Sequence, residues 1–518
     1  LDARSLLILS DLHVGRDCKE ITGFAQPRPD PEFDRAFVGL LDVYTAGRES
    51  DWRLVLGGDF IDFMEVVVAP GTKGVLDLKL TFDVTDEEKE FGLGSEAERV
   101  IVKLDRTMDY HQAFFRRLAA FVKAGGALAI VRGNHDVEFY WRKVQKFFRR
   151  RLADLAFRGH MLDVDELLEQ RDAFQTRVEF FPWIYFEPGR IYFEHGHQYD
   201  EYCSFDHWLH PLSPKNPRRI DTPISAFAMR YFVNVMVDFA PSSLEGWTGD
   251  DYLRWMKRKG PAATLYAVGM ATKAVIRTLV YAFEWTFGRV GRYAQEHGKK
   301  LAEEAQRFGL PPDRLELVDQ LHHMPVNRNL PELMRLLWLD RALLFLGALL
   351  LAAVVLLVLD DPRWELASLV GVVLLAWRAN RAMAPHRVLH PTLKQQEAAR
   401  KIADLLDVPL VVMGHSHVRR VVELGKGRRY LNTGCWLPPI EVDKDHVDPS
   451  APCTCKLSHL VVPVSGEADL RVFCKATLKV RTTDLAEALR TLDLPRPRAP
   501  SGVMHGRASS GVSREDGS

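Results

Sequence analysis

The sequence predicts an α/β fold, a sheet core flanked by helices, carrying a large apolar helical insertion. Three observations predict it. Short apolar runs of strand length end in Gly, Ser, Asp or His, helical patterns lie between several of them, and the middle of the chain is apolar over stretches too long for strands. The strand-like runs are Ser5–Ser10, Trp52–Gly58, Ala127–Gly133, Arg190–Gly196 and Pro409–His415, joined later by Arg428–Trp436 and Ser458–Val464. Helical patterns cover Phe33–Ala46, Glu96–Ala124 and Lys394–Leu406. Polar residues at the ends of several strands point to a site there, the usual place in α/β folds.

The apolar middle contains two helical stretches with few charges, Ile224–Ala240 and Thr264–Phe287. Ala342–Leu359 is uncharged over 18 residues, about 27 Å as a helix, the lower edge of a membrane span. A second apolar run, Leu366–Trp377, follows the acidic tip Asp360-Asp361-Pro362. Arg335 and Arg341 precede the pair, Arg378, Arg381 and Arg387 follow it, and Trp338, Trp364 and Trp377 bracket the runs. This is the pattern of a membrane hairpin with both ends on the cytoplasmic side; the alternative is a buried helical pair inside a soluble protein. The expected organisation is a core in two parts, 1–215 and 391–480, an insertion over 216–390, and a disordered Pro/Gly/Ser-rich tail over 495–518.

The charge balance is even, with 69 Lys+Arg against 69 Asp+Glu, which gives no global attraction to nucleic acid and counts against a nuclease. Six scattered cysteines are too few for a disulfide framework and fit a reducing cytoplasm. Cys435, Cys453, Cys455 and Cys474 offer a metal site only at a spacing foreign to zinc fingers, so ordinary small side chains are the preferred reading. No signal peptide is expected ahead of the first strand.

The chemistry sits at the strand ends. "SDLHVG" supplies Asp11 and His13, "GGDFIDF" Asp59 and Asp62, "GNHD" Asn134, His135 and Asp136, "EHGH" His195 and His197, and "GHSH" His415 and His417. One such cluster has bland explanations as a cap or turn. Five are costly to bury without a purpose, and convergence on metal ions offsets that cost. Imidazoles, carboxylates and an amide oxygen suit Mn²⁺, Fe or Zn²⁺ better than Ca²⁺, and there are too many ligands for one tetrahedral ion.

The ordered set D-x-H, G-D-x-x-D, G-N-H-D, H-G-H, G-H-x-H resembles the calcineurin-like metallophosphoesterase superfamily over roughly Ser5–Tyr202 and Lys394–Val464. The resemblance implies a metallophosphoesterase β-sandwich flanked by helices. It implies two divalent metal ions, with Mn²⁺ preferred. Asp11, His13 and His417 would hold the first, Asn134, His195 and His415 the second, and Asp59 would bridge them. His135 would steady the scissile phosphate and protonate the leaving oxygen, with Asp136 orienting it. Asp62 reads equally as support for a neighbour or as a helix cap. His197 reads as support, substrate contact or plain structure.

The implied reaction is hydrolysis of a phosphoester or pyrophosphate bond by a metal-activated hydroxide. The hairpin favours a lipid-like phosphorylated substrate at the cytoplasmic face of the membrane. The "HGHQYD" block is locally similar to bacterial UDP-diacylglucosamine diphosphatases. The alternatives are a soluble-substrate phosphodiesterase or phosphatase with the hairpin as a mere anchor, and a non-catalytic metal-binding scaffold. The segment Tyr140–Arg151, with six Lys/Arg from Arg142 onward, is either a solvated helix face or a contact for an anionic surface.

Overall fold

A computed structural model describes residues 4–20, 31–70, 80–159, 163–235, 249–287, 291–337, 339–383, 391–436, 457–474 and 479–482. Cys453, Cys455, Arg387 and the tail from 495 lie outside them, as do 236–240 of the first apolar stretch.

The chain builds a mixed α/β fold around two sheets. In chain order the strands are β1 Ser5–Leu9, β2 Lys19–Glu20, β3 Trp52–Gly57, β4 Val67–Val68, β5 Ala127–Val131, β6 Val178–Phe181, β7 Ile184–Glu187, β8 Ile191–Glu194, β9 Leu410–Met413, β10 Arg420–Gly425, β11 Arg428–Asn432, β12 Ser458–Val462, β13 Asp469–Cys474 and β14 Lys479–Thr482. Seven form one sheet in the order β14-β13-β12-β1-β3-β5-β6, and five form another in the order β10-β11-β9-β8-β7. β1, β3, β5 and β6 run parallel, so their ends reach the same edge of the sheet.

The strands that lie centrally read as continuous apolar runs because both their faces are covered. Inward residues of both sheets, among them Ile8, Val55, Ala129, Tyr185, Phe193 and Val412, share one buried cluster. That cluster is the interior of a sandwich. Helices 31–45, 97–110, 112–123 and 142–157 cover the outer face of the larger sheet through Phe37, Leu104, Phe115 and Phe148. Helices 291–307, 312–319 and 391–406 cover the smaller one through Leu301, Ala305, Val318 and Ile402. Part of the expected insertion is thus a layer of the core.

The structure bears on three other expectations. The helical pattern Glu96–Ala124 is two helices, broken at His111, whose backbone leaves helical geometry. Its ring bridges Asp34 and Asp17 instead of continuing the helix. The basic segment forms the helix Arg142–Phe157, and several of its charges are taken by neighbours. Lys143 pairs with Glu98, Arg151 with Asp105 and Asp109, and Arg149 donates to the Val178 carbonyl. That is the solvated-face reading. Thr264–Phe287 belongs to a longer helix, Gly249–Phe287, interrupted at Gly260 (φ 83°) just ahead of Pro261, which removes a helical donor.

The two apolar runs pair as helices Leu339–Val358 and Pro362–Ala382, the second longer than its apolar run. No described residue of Leu339–Val358 is buried, so the alternative of a pair buried in a soluble core does not describe it. Among the described residues two helices are long and apolar enough to cross a membrane, within Arg254–Phe283 and Leu339–Val358; Pro362–Ala382 is not one of them.

Candidate active site

The five motifs meet at one edge of the sandwich. Asp11 follows β1, and its amide donates to the Gly58 carbonyl at 3.1 Å; the His13 amide donates to the Asp59 carbonyl at 2.8 Å. The turn after β3 is thereby tied to the turn after β1. The His415 amide donates to both oxygens of Asp11 at 3.1 Å, which draws the fifth motif in from the other sheet. Space is made by missing side chains. A Cβ on Gly133 would collide with Asp59, and one on Gly414 with Asp11 and Ser10.

Among the described residues four donor groups result: His13 with Asp62 and His135, Asp200 with Cys203 and His415, and two that gather the implied ligands. In one, donor atoms of Asp11, His13 and His417 lie within 4.8 Å of one another; in the other, those of Asp59, His195 and His415 do. Asp59 faces both: its Oδ2 is 3.1 Å from His195 Nε2 and 3.8 Å from His13 Nε2. His13 Nε2 and His417 Nε2 point at each other across 3.4 Å, and His417 Nε2 is 3.3 Å from Asp11 Oδ1. Asn134 Oδ1 lies 3.1 Å from His195 Nε2. Converging lone pairs of this kind suit a shared cation. His135 stands beside them, its ring centroid 4.7 Å from that of His13.

Backbone strain concentrates in the same place. Seven described non-glycine residues have positive φ, and five of them are Asp11, His13, Asp59, His415 and His417. Such residues cost of order 1–3 kcal/mol each when held in sparsely populated regions, and they gather at functional sites.

The Calcineurin-like phosphoesterase family model matches residues 4–267. The chain belongs to the calcineurin-like phosphoesterase family. It is accordingly a metallophosphoesterase hydrolase, and the Asp/His groups are suited to the divalent metals such a phosphoesterase uses. The matched stretch ends well before His415 and His417, which reach the site through the fold. No curated protein and no solved structure matches the chain.

The supports of this phosphoesterase site correct one expectation. Asp136 does not orient His135. Its oxygens accept from the backbone amides of Gly133 at 2.6 Å and Phe60 at 2.8 Å, so it pins the turn. Asp62 holds His135 instead, at 2.9 Å to Nδ1, and also His13, at 2.7 Å to Nδ1. One fully buried carboxylate thus aims two imidazoles, leaving Nε2 of each for the site. Asp62 also accepts from the Glu65 amide, which closes a turn; no described helix starts there, so Asp62 supports its neighbours and caps no helix.

His195 Nδ1 lies 3.2 Å from the Gly57 carbonyl, which frees its Nε2. His415 Nε2 meets Asp200 at 3.1 Å, a partner the sequence reasoning missed. Its signal was the final Asp of "HGHQYD", carried there by the short turn His197–Tyr199. His197 is buried against Trp208, 4.1 Å between ring centroids, outside all four donor groups.

The electrostatics follow the carboxylates. Burial resists a charge on His135, but Asp62 and Asp59 outweigh it and push its pKa up to about 10. His195 rises to about 9 against the same burial, through Asp59 and Asp11. Burial works against the charge on Asp62 too, yet His135 and His13 hold its carboxyl far below the usual range.

Proposed function

We propose that this chain is a two-metal phosphohydrolase acting on a phosphorylated, lipid-like substrate at the cytoplasmic face of a membrane. The observation that carries the reading is the pair of Asp/His donor groups joined at Asp59, built on strained backbone. Asp11, His13 and His417 would hold one ion, and Asn134, His195 and His415 the other, with Asp59 between. Mn²⁺ is our first choice, and Fe or Zn²⁺ suits the same donors. When bound, such ions neutralise phosphate charge and lower the pKa of water.

The chain's own residues do the rest. Asp62 keeps His135 protonated and fixed, and His135 gives its proton to the leaving oxygen. Water supplies the oxygen of the new P–O bond and gives up one proton to solvent, the ester or anhydride P–O bond breaks, the leaving group departs carrying the proton of His135, and His135 regains a proton from solvent. The lipid-like part of the reading is supported by the uncovered apolar helix Leu339–Val358, 20 residues or about 30 Å long. The experiment is a substrate panel with the purified full chain, Mn²⁺ and detergent. Phosphorylated lipids in mixed micelles are expected to be cleaved faster than soluble diesters. Faster cleavage of soluble diesters, with none of the lipids, contradicts the reading.

A further inference from the structure

A cavity of 240 Å³ lies between the end of β5, the helix Arg142–Phe157 and the helix Gly291–Arg307. It is smaller than the roughly 300–1,000 Å³ of sites for drug-sized ligands, so it suits a small one. None of the metal-site side chains lines it. Four cations do, Arg132, Arg142, Lys300 and Arg307, against two carboxylates, Glu303 and Glu304. The lining therefore carries two positive charges in excess. Ile130, Phe139, Phe180, Phe181, Pro182 and Leu209 make its apolar wall.

The inner cations lack a counter-charge. Arg132 is only 3% exposed; one donor goes to the Trp208 carbonyl at 2.6 Å, and its Nε has no hydrogen-bond partner among the described residues. Lys300 Nζ donates to the Leu209 carbonyl at 3.0 Å and the Tyr140 hydroxyl at 3.2 Å. Both cations lie against the Tyr140 ring, 5.8 Å and 4.3 Å from its centroid. Neither forms an ion pair among the described residues. Burial and the Arg132 charge push the Lys300 pKa down to about 8. Arg307, by contrast, reaches Glu304 at 3.7 Å and Glu179 at 3.9 Å.

Two further features favour an occupant. The helix Arg142–Phe157 starts here, with Arg142 and Gln145 in the wall, no acidic residue in its first turn and no side-chain cap at Trp141. Its first amides favour an anion. Glu304 is 9% exposed, and its buried Oε2 has no hydrogen-bond partner among the described residues. Buried polar atoms are ordinarily matched, so an unmatched donor and an unmatched acceptor in one cavity ask for a ligand that supplies both.

We propose that this cavity is a second ligand site, for a small hydroxylated phosphomonoester. Its phosphate meets Arg132, Lys300 and Arg142, and a hydroxyl donates to Glu304 Oε2. A phosphomonoester carries about −1.5 to −2 charge at pH 7, which matches the excess. Arg132 leads directly into the Gly133–Asp136 turn, so the ligand rests against the strand that ends in Asn134 and His135. The site is separate from the Asp/His centre and does not require its reaction.

The test is equilibrium dialysis of the detergent-solubilised full chain, in EDTA, against radiolabelled glycerol 3-phosphate and, separately, inorganic phosphate. EDTA removes metal-held phosphate from the signal, and thermal unfolding monitors the fold. Wild type is expected to bind one glycerol 3-phosphate per chain, at least fivefold tighter than inorganic phosphate. Lys300→Ala and Arg142→Ala are each expected to weaken binding at least fivefold. Lys143→Ala, which removes a charge from the same helix outside the cavity, should leave it unchanged. Glu304→Gln is expected to erase the preference for glycerol 3-phosphate over phosphate. Should Lys300→Ala fail to fold, Arg142→Ala at the exposed rim carries the charge test. No saturable binding, or equal affinity for the two anions in wild type, overturns the proposal. So does unchanged affinity in the folded cation variants, an equal loss in Lys143→Ala, or a preference that survives in Glu304→Gln.

Discussion

Asp62 and Asp136 are both fully buried carboxylates a few residues from a strand end, and they do different work. Asp62 aims His13 and His135, so Asp62→Asn is expected to lower activity or metal affinity roughly 10–100-fold. Asp136 satisfies two backbone amides. Asp136→Ala leaves both amides unmatched, at about 1–3 kcal/mol each, and is expected to show first in thermal unfolding. A loss of activity in Asp136→Ala without a loss of stability would contradict this division. The motifs made every metal-site candidate legible, because D-x-H or G-N-H-D brings its partners within a few residues. What the motifs left open was which carboxylate serves which imidazole. That depends on contacts such as Asp62 to His135, 73 positions apart. Asp200, reaching His415 across 215 positions, was invisible for the same reason.

At the scale of elements, six of the seven strands read from the sequence are mostly buried and apolar, and the seventh, β11, opens on the half-buried Arg428 and Arg429. β2, β4, β6, β7, β10, β13 and β14 were not read. β10 and β13 mix exposed or half-buried charged residues with apolar ones, and β2 and β4 are only two residues long. The break at His111 was hidden because the apolar period continues through both helices. That break makes its own prediction. Burial disfavours the charged ring, but Asp17 and Asp34 outweigh it and raise the His111 pKa from 6.5 to about 9. A group whose pKa is raised on folding stabilises fully below its unfolded pKa and loses that contribution as pH climbs through the folded value. The wild-type chain should therefore lose stability between about pH 6.5 and 9, by up to roughly 3 kcal/mol from this group. His111→Gln should lack that component. Denaturant unfolding at pH 6 and pH 9.5 measures the difference, and identical pH dependence in the two chains would refute the link.

At the scale of the whole molecule, an α/β sandwich carries an apolar helix, Leu339–Val358, that its own core does not cover. The sequence suggested that helix through an uncharged run. It did not show that residues 291–319 return to the core, because Leu301, Ala305 and Val318 meet their partners only through the smaller sheet. The full chain is expected in the carbonate-resistant membrane fraction, and replacing Leu339–Ala382 by a short polar linker should release it. A wild-type chain recovered wholly in the supernatant would remove the membrane from the account. The central claim concerns the edge of the sandwich, and equilibrium dialysis against Mn²⁺, followed by bis-p-nitrophenyl phosphate hydrolysis, tests it most directly. Wild type should bind two ions per chain. Asp59→Asn should lose metal and activity together. His135→Ala should keep both ions while activity falls by about 10²–10⁴. Activity that persists in both variants, or a wild-type chain that binds no metal, would contradict the account.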